Sequence, residues 1–243
     1  MNQSITPHTL IVGGSHGISF ELVKALLAAG GRVTALSRTE GQLSEEGLLG
    51  DESLQHLRYD VLQDEWPADQ IPDSLTGFVY CPGTINLGAV RSVKADALRA
   101  DLELNAVGAL QTFQAVLRPL KASGAGSAVF FSTVAVDHGI AMHSYVAAAK
   151  GALQAMAKTW AAELAPRVRV NCVAPALTDT PLASGLLSDE GSRKTLAKKY
   201  PLGRLGSPVD MASAAAFLLS PQNSWITGQV IGVDGGMSSI VAL

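Results

Sequence analysis

Residues 130–150 read FFSTVAVDHGIAMHSYVAAAK and bring together the side-chain types that proton transfer requires. An apolar, strand-like run ends in two hydroxyls, Ser132 and Thr133. A loop with His138, Gly139 and His143 follows. Then comes an alanine-rich helix with Tyr145 near its start and Lys150 further in. A lysine cation beside a phenol lowers the phenol pKa, so the pair can give or take a proton near neutral pH. The spacing opposes the simplest form of such a site. Tyr145 and Lys150 are five positions apart, a rotation of about 140° on a regular helix, whereas positions four apart share a face. The residue four before Lys150 is Val146, which has no proton to give.

These groups need elements to hold them. Residues 9–12 are a short apolar strand, and the glycine turn Gly13-Gly14-Ser15-His16-Gly17-Ile18-Ser19 follows. A helix pattern runs to about Ala29, and residues 32–36 are a second strand. Strand, glycine turn, helix and strand make a βαβ unit. Glycines there let backbone amides approach a pyrophosphate at a helix N-terminus. The second strand ends in Ser37-Arg38-Thr39. A carboxylate at that place serves the ribose hydroxyls of NAD; an arginine suits a 2′-phosphate. NADP is therefore expected ahead of NAD, with His16 as a second donor.

Further strands are expected at 54–59, 77–81, 127–131, 167–173 and 230–233. Helical regions are expected at 93–120, from near Tyr145 to about 165, and at 208–219, the last capped by Ser207. Asn105 lies among apolar residues of the first of these, and a buried Asn there needs a hydrogen-bonding partner. Strands alternating with helices predict an α/β fold, a single doubly wound parallel sheet with helices on both faces. Ligands of such sheets lie beyond the strand C-termini. Gly13, Ser37, Asp60, Gly83, Thr133 and Pro175 each follow a strand.

At 243 residues, one α/β domain over 1–243 is expected, with a substrate lid at about 182–206. A net charge of −3 argues against nucleic acid or an anionic membrane as partner. The two cysteines, Cys81 and Cys172, have no paired framework and read as buried thiols in a reducing compartment. The first residues lack a charged region and a long apolar one, so a cytoplasmic protein is expected. No metal is expected.

The chain resembles the short-chain dehydrogenase/reductase family over essentially its full length. VGGSHGIS resembles the family's T-G-x-x-x-G-x-G, with Val12 for Thr and Ser19 for the last Gly. Asp60-Val61 resembles its adenine-contacting pair. VRVNCVAPALTDTP resembles R-V-N-x-[V/I]-x-P-G-x-x-x-T, and WITGQVIGVDGG its C-terminal strand signature. The resemblance implies a cofactor site of Gly13, Ser15, His16, Gly17, Ile18, Ser37, Arg38, Asp60, Val61, Gly83, Lys150, Pro175, Thr178 and Thr180. It implies catalytic roles for Asn105, Ser132, Thr133, Tyr145 and Lys150, and hydride transfer between NADPH and a small carbonyl or alcohol substrate. A homodimer or homotetramer is implied as well, with the apolar tail 240–243 as one candidate contact.

Two departures bear on this. Tyr80-Cys81-Pro82-Gly83 stands where the family has N-N-A-G. Tyr-x-x-x-Lys becomes Val146-x-x-x-Lys150, with Thr133 in the serine slot of that register and Ser132 in the slot counted from Tyr145. Three readings follow. A distorted helix start delivers Tyr145 to the site; or another group such as His143 or Thr133 serves; or the chain binds NADP without redox chemistry, as a sensor, scaffold or partner subunit.

Overall fold

The computed structural model describes residues 6–240. Of the apolar tail, only Ile240 lies within them. The elements in chain order are β1 His8–Val12, α1 Gly17–Ala28, β2 Arg32–Ser37, α2 Gln42–Glu45, β3 Leu54–Arg58, β4 Gly77–Tyr80, α3 Ala95–Leu102, α4 Gly108–Ala122, β5 Gly126–Phe131, α5 Ser144–Leu164, β6 Val168–Pro175, α6 Glu190–Ala197, α7 Pro208–Leu219 and β7 Val230–Val233. The seven strands form one sheet in the order β3-β2-β1-β4-β5-β6-β7, and every pairing is parallel.

Strand side chains alternate between faces, and both faces are covered. Leu10, Val12, Tyr80 and Phe130 join one core with Phe113, Val116 and Leu120 of α4 and Leu153, Ala157 and Ala161 of α5. The intervening Ile11, Val79, Val129 and Phe131 join the other, with Phe20, Leu22 and Val23 of α1 and Met211, Ala215 and Leu218 of α7. Strands buried on both faces read as continuous apolar runs, which is why β4 and β5 were legible. β6 carries polar side chains with specific work. Arg169 donates to the Leu218 carbonyl at 2.8 Å and the Ser220 carbonyl at 3.1 Å, closing the C-terminus of α7. Asn171 binds the turn into β7 through the Ile226 carbonyl and the Gln229 amide, each at 3.0 Å. Ser207 does cap α7, in a reciprocal box with Asp210.

The long helix expected at 93–120 is not continuous. A π-helical turn, Glu103–Val107, separates α3 from α4. Its cause is visible across the core. The fully buried Tyr80 hydroxyl donates to the Leu104 carbonyl at 2.5 Å, a group that a regular ladder would occupy. Gly108 makes room for it, since a Cβ there would sit 2.8 Å from the Tyr80 Oη and 3.0 Å from Val61 Cγ2. Gly108→Ala is expected to destabilise the fold by about 2 kcal/mol through this overpacking, read as a lowered urea midpoint at unchanged m-value.

Candidate active site

A cleft of ≈ 1140 Å³ opens at the C-terminal ends of β1, β2, β4, β5 and β6. This is where strand order reverses, between β1 and β4, and a parallel sheet leaves a crevice at such a point. Gly13, Ser15, His16, Gly17, Ile18, Ser37, Arg38, Asp60, Val61, Gly83, Ser132, Thr133, Lys150, Pro175, Thr178 and Thr180 all line it. Asn105 lies just behind the wall. Tyr145 does not line the cleft.

The glycine turn is shaped by backbone conformation. Gly13 has φ 83° and Gly17 φ 58°, left-handed values that side chains disfavour. Ser19 is buried, and its hydroxyl donates back to the Gly13 carbonyl and, at 3.0 Å, the His16 carbonyl. A serine thus replaces the last glycine with its hydroxyl turned back to the backbone at the cleft wall. The Gly17 amide donates to Gln42 Oε1 at 2.8 Å, so a side chain from α2 sits at the start of α1. Nothing local in the sequence points to Gln42.

At the end of β2, Arg38 lines the cleft and enters no ion pair among the described residues. The Ser37 hydroxyl is already engaged: it donates to the Thr39 carbonyl and pairs with His56 Nε2, both at 2.8 Å. His56 therefore supports this corner, and burial holds its pKa below the ordinary value. The His16 imidazole packs over Gly41, where an added Cβ would land on the ring.

The opposite end of the cleft is built around Lys150. Its side chain is buried, and Nζ donates to the Pro82 carbonyl at 3.2 Å. Burial pulls its pKa down from 10.5 to about 8, against the smaller opposing pull of Cys81, Cys172 and Asp101. The Cys81 thiol is pushed up to about 12 by its own burial. A Cβ on Gly83 would sit 3.1 Å from Lys150 Nζ and 3.2 Å from Asn105 Oδ1, so amine and amide flank that glycine. Asn105 Nδ2 donates to the Asp101 carbonyl at 2.8 Å, while its buried Oδ1 has no hydrogen-bond partner among the described residues. Asp101, one turn earlier, accepts from Thr84 Oγ1 and Asn86 Nδ2. This buried polar chain could have been suspected from the 101/105 spacing, but its Thr84 and Asn86 members come from a loop.

The helix start is not distorted in the way that would bring Tyr145 to the cleft. α5 begins at Ser144, and Val146 and Lys150, four apart, both face the cleft. Tyr145, one residue before Val146, is rotated by about 100°. It is buried beside Gly88, and its hydroxyl accepts from the Lys94 amide at 2.6 Å, at the entry to α3. The phenol serves packing between α3 and α5. Tyr145→Phe is expected to leave turnover within twofold and to cost about 1 kcal/mol of stability for the lost acceptor; parallel kinetics and thermal unfolding check both. Ser132 touches the cleft, but its hydroxyl donates to Gln154 Oε1 at 3.0 Å, and Gln154 is held by Asp137. Thr133 donates to the Pro175 carbonyl at 3.4 Å.

Fold and site together define a nucleotide-binding oxidoreductase of the doubly wound class. The family model described as enoyl-(acyl carrier protein) reductase matches residues 12–238. A tropinone reductase homologue of Arabidopsis thaliana is 33% identical over 94% of this chain and 90% of its own length. L-xylulose reductase of Bos taurus is 34% identical over 93% of this chain and 94% of its own. Among solved structures, a short-chain dehydrogenase/reductase family oxidoreductase from Burkholderia thailandensis superposes with TM-score 0.87 at 31% identity, covering 97% of this chain and 94% of that one. The chain belongs to the short-chain dehydrogenase/reductase family. Among the described residues no helix is long and apolar enough to cross a membrane.

Proposed function

We propose that the chain is an NADP-dependent oxidoreductase acting between a small carbonyl compound and its alcohol. One observation carries this reading. A single cleft joins the glycine turn and Arg38 at one end to Lys150 and Thr133 at the other, the span a dinucleotide requires. The chain's residues fit the cofactor. Gly13 and Gly17 let backbone amides approach the pyrophosphate. Arg38 and His16 supply donors for a 2′-phosphate, and residues 37–39 contain no carboxylate. Asp60 and Val61 flank the adenine, and Pro175, Thr178 and Thr180 hold the nicotinamide end. The orphaned Asn105 Oδ1 beside the Lys150 amine marks a polar corner for ribose hydroxyls and the protons they exchange.

When bound, the cofactor supplies the hydride. Lys150 orients the ribose, Thr133 holds the substrate oxygen, and Asn105 with Asp101 extends a polar path behind Lys150. Segment 182–206 is the lid. Its Leu182, Leu186, Leu196 and Tyr200 line the same cleft and favour a partly apolar substrate. The relatives named as tropinone reductase homologue and L-xylulose reductase support a carbonyl substrate. The chain assembles as a homodimer or homotetramer, and its two free thiols suit the cytoplasm.

The test is NADPH fluorescence titration followed by a panel of ketones and 3-oxoacyl esters. Tighter binding of NADPH than NADH, with turnover of at least one ketone, is expected. Binding of neither nucleotide, or binding of NADPH without turnover anywhere in the panel, would overturn the proposal.

A further inference from the structure

This inference rests on the reading above and names the proton donor that the valine register removes. α5 presents one stripe to the cleft. His143 at the N-cap, Val146 and Lys150 all line it; Val146 and Lys150 stand four apart, the spacing of a single helix face, and His143 precedes Val146 by three positions. Lys150 stands at the inner end, tied to the Pro82 carbonyl. Val146 in the middle has no exchangeable proton. His143 lies one turn outward, about 4.5 Å along the axis from Val146.

The histidine is held as a proton donor should be. Its Nδ1 lies 2.7 Å from the Ala141 carbonyl. A carbonyl only accepts, so Nδ1 carries the hydrogen and Nε2 is the nitrogen left to exchange a proton. The backbone around it is tied at several points. Gly88 N donates to the Met142 carbonyl at 2.8 Å, and Ala147 N to the His143 carbonyl at 2.9 Å. Met142 itself has φ 69°, a conformation that a side-chain-bearing residue adopts only when its surroundings impose it. His143 occupies the N-cap of α5, yet its side chain makes no capping bond. The helix would be better served there by Ser, Asp or Asn, so beyond the Nδ1 bond to Ala141 the imidazole does no capping work.

Other protic groups near the stripe serve less well as the acid. Ser132 donates to Gln154 at 3.0 Å; Thr133, in loose 3.4 Å contact with the Pro175 carbonyl, is an aliphatic hydroxyl that can orient the substrate oxygen by hydrogen bonding but does not ionise near neutral pH. Tyr200 accepts from the Leu177 amide, and burial raises its phenol pKa, which makes it a poorer acid near neutral pH. Burial likewise keeps the Cys81 thiol protonated.

We propose that His143 is the general acid and base of this site, replacing the tyrosine that Val146 displaces. In the reductive direction a bound reduced nicotinamide would supply the hydride, and with it both electrons, to the carbonyl carbon; His143 would give its Nε2 proton to the carbonyl oxygen, so that C=O becomes CH–OH, and the neutral imidazole would be recharged from solvent. Oxidation of the alcohol runs the same exchange backwards.

The experiment compares wild type, His143→Gln, Val146→Tyr and the double variant. It uses the ketone that wild type reduces fastest, NADPH titrations, and diethyl pyrocarbonate labelling of His143 read by mass spectrometry. His143→Gln is expected to lower kcat by about 10²- to 10³-fold with NADPH affinity and melting temperature unchanged. NADPH plus a non-reducible ketone analogue is expected to protect His143 from labelling. Val146→Tyr is expected to make activity independent of His143, because a phenol four residues before Lys150 shares its face; the double variant should then recover turnover. The inference is overturned if His143→Gln keeps more than half of kcat, if His143 is labelled equally with and without ligands, or if the variant's loss follows a loss of stability and Val146→Tyr does not relieve it. A wild type that binds NADPH and reduces nothing would overturn the redox reading and this inference together; an active wild type with an active His143→Gln would overturn this inference alone.

Discussion

Lys150→Met is expected to weaken NADPH binding by about 10- to 100-fold while making the apo protein more stable. The loss follows from removing a charged donor at the ribose corner, an interaction worth about 1.5–3 kcal/mol. The gain follows from burial. The amine's pKa is lowered from 10.5 to about 8, chiefly by desolvation, and at about 1.36 kcal/mol per unit this represents about 3 kcal/mol carried by the folded state. Leaving the Pro82 carbonyl without its donor returns about 1 kcal/mol of that, for a net gain of about 2 kcal/mol.

The sign sets the pH window. Below about 8, lysine is protonated in both folded and unfolded chains, and the folded state carries the full cost of a buried cation. Between about 8 and 10.5 the folded lysine releases its proton first, so the unfolded state binds more protons and wild-type stability rises with pH. The variant's advantage is therefore greatest below pH 8 and fades towards 10.5. Cys81, whose thiol is pushed up to about 12 chiefly by burial, destabilises both proteins as its unfolded form ionises; because the Lys150 charge pulls that thiol down, its cost is somewhat larger in the variant, so the comparison is cleanest at pH 7. Urea unfolding of both proteins across this range is the measurement. Equal stability at pH 7 would show that Lys150 is hydrated or paired in solution.

Arg38→Asp is expected to reverse nucleotide preference. The guanidinium lines the cleft without an ion-pair partner among the described residues. Loss of its bonds to a 2′-phosphate removes about 1.5–3 kcal/mol. A carboxylate adds repulsion for that phosphate and a partner for the free ribose hydroxyl. The ratio of kcat/KM for NADPH over NADH is expected to fall by about 10³-fold. The wild-type preference is also expected to shrink with added salt, because the pair is open to screening. His16→Ala is expected to produce only a small part of this change. An unchanged ratio in Arg38→Asp would place the adenosine ribose away from the end of β2.

Much of the scaffold was legible because its signals are local. β1, β4 and β5 are short apolar runs bounded by glycine or proline, and α7 announces itself with Ser207-Pro208. The glycine turn reads directly as a tight strand-to-helix connection. The break at Glu103–Val107 was not legible. It depends on Tyr80, more than twenty positions earlier, whose hydroxyl takes a carbonyl out of the helical ladder. Gln42 against Gly17 and His56 behind Ser37 were missed for the same reason: each contact joins residues distant in sequence and leaves no periodic trace.

The stretch 130–150 divides along the same line. By itself the sequence determined a strand-end hydroxyl pair, a helix, and a lysine with valine four residues before it, because helical rotation of about 100° per residue follows from chain geometry alone. It left open whether a distorted helix start could turn Tyr145 inward. Only the tertiary structure decided that. The Gly88 segment and the entry to α3 offer Tyr145 a buried seat and the Lys94 amide, which leaves Val146 facing the cleft with His143 one turn away. The reason is physical: a helix settles which residues share a face, and only the neighbours packed against it settle which face looks into the site.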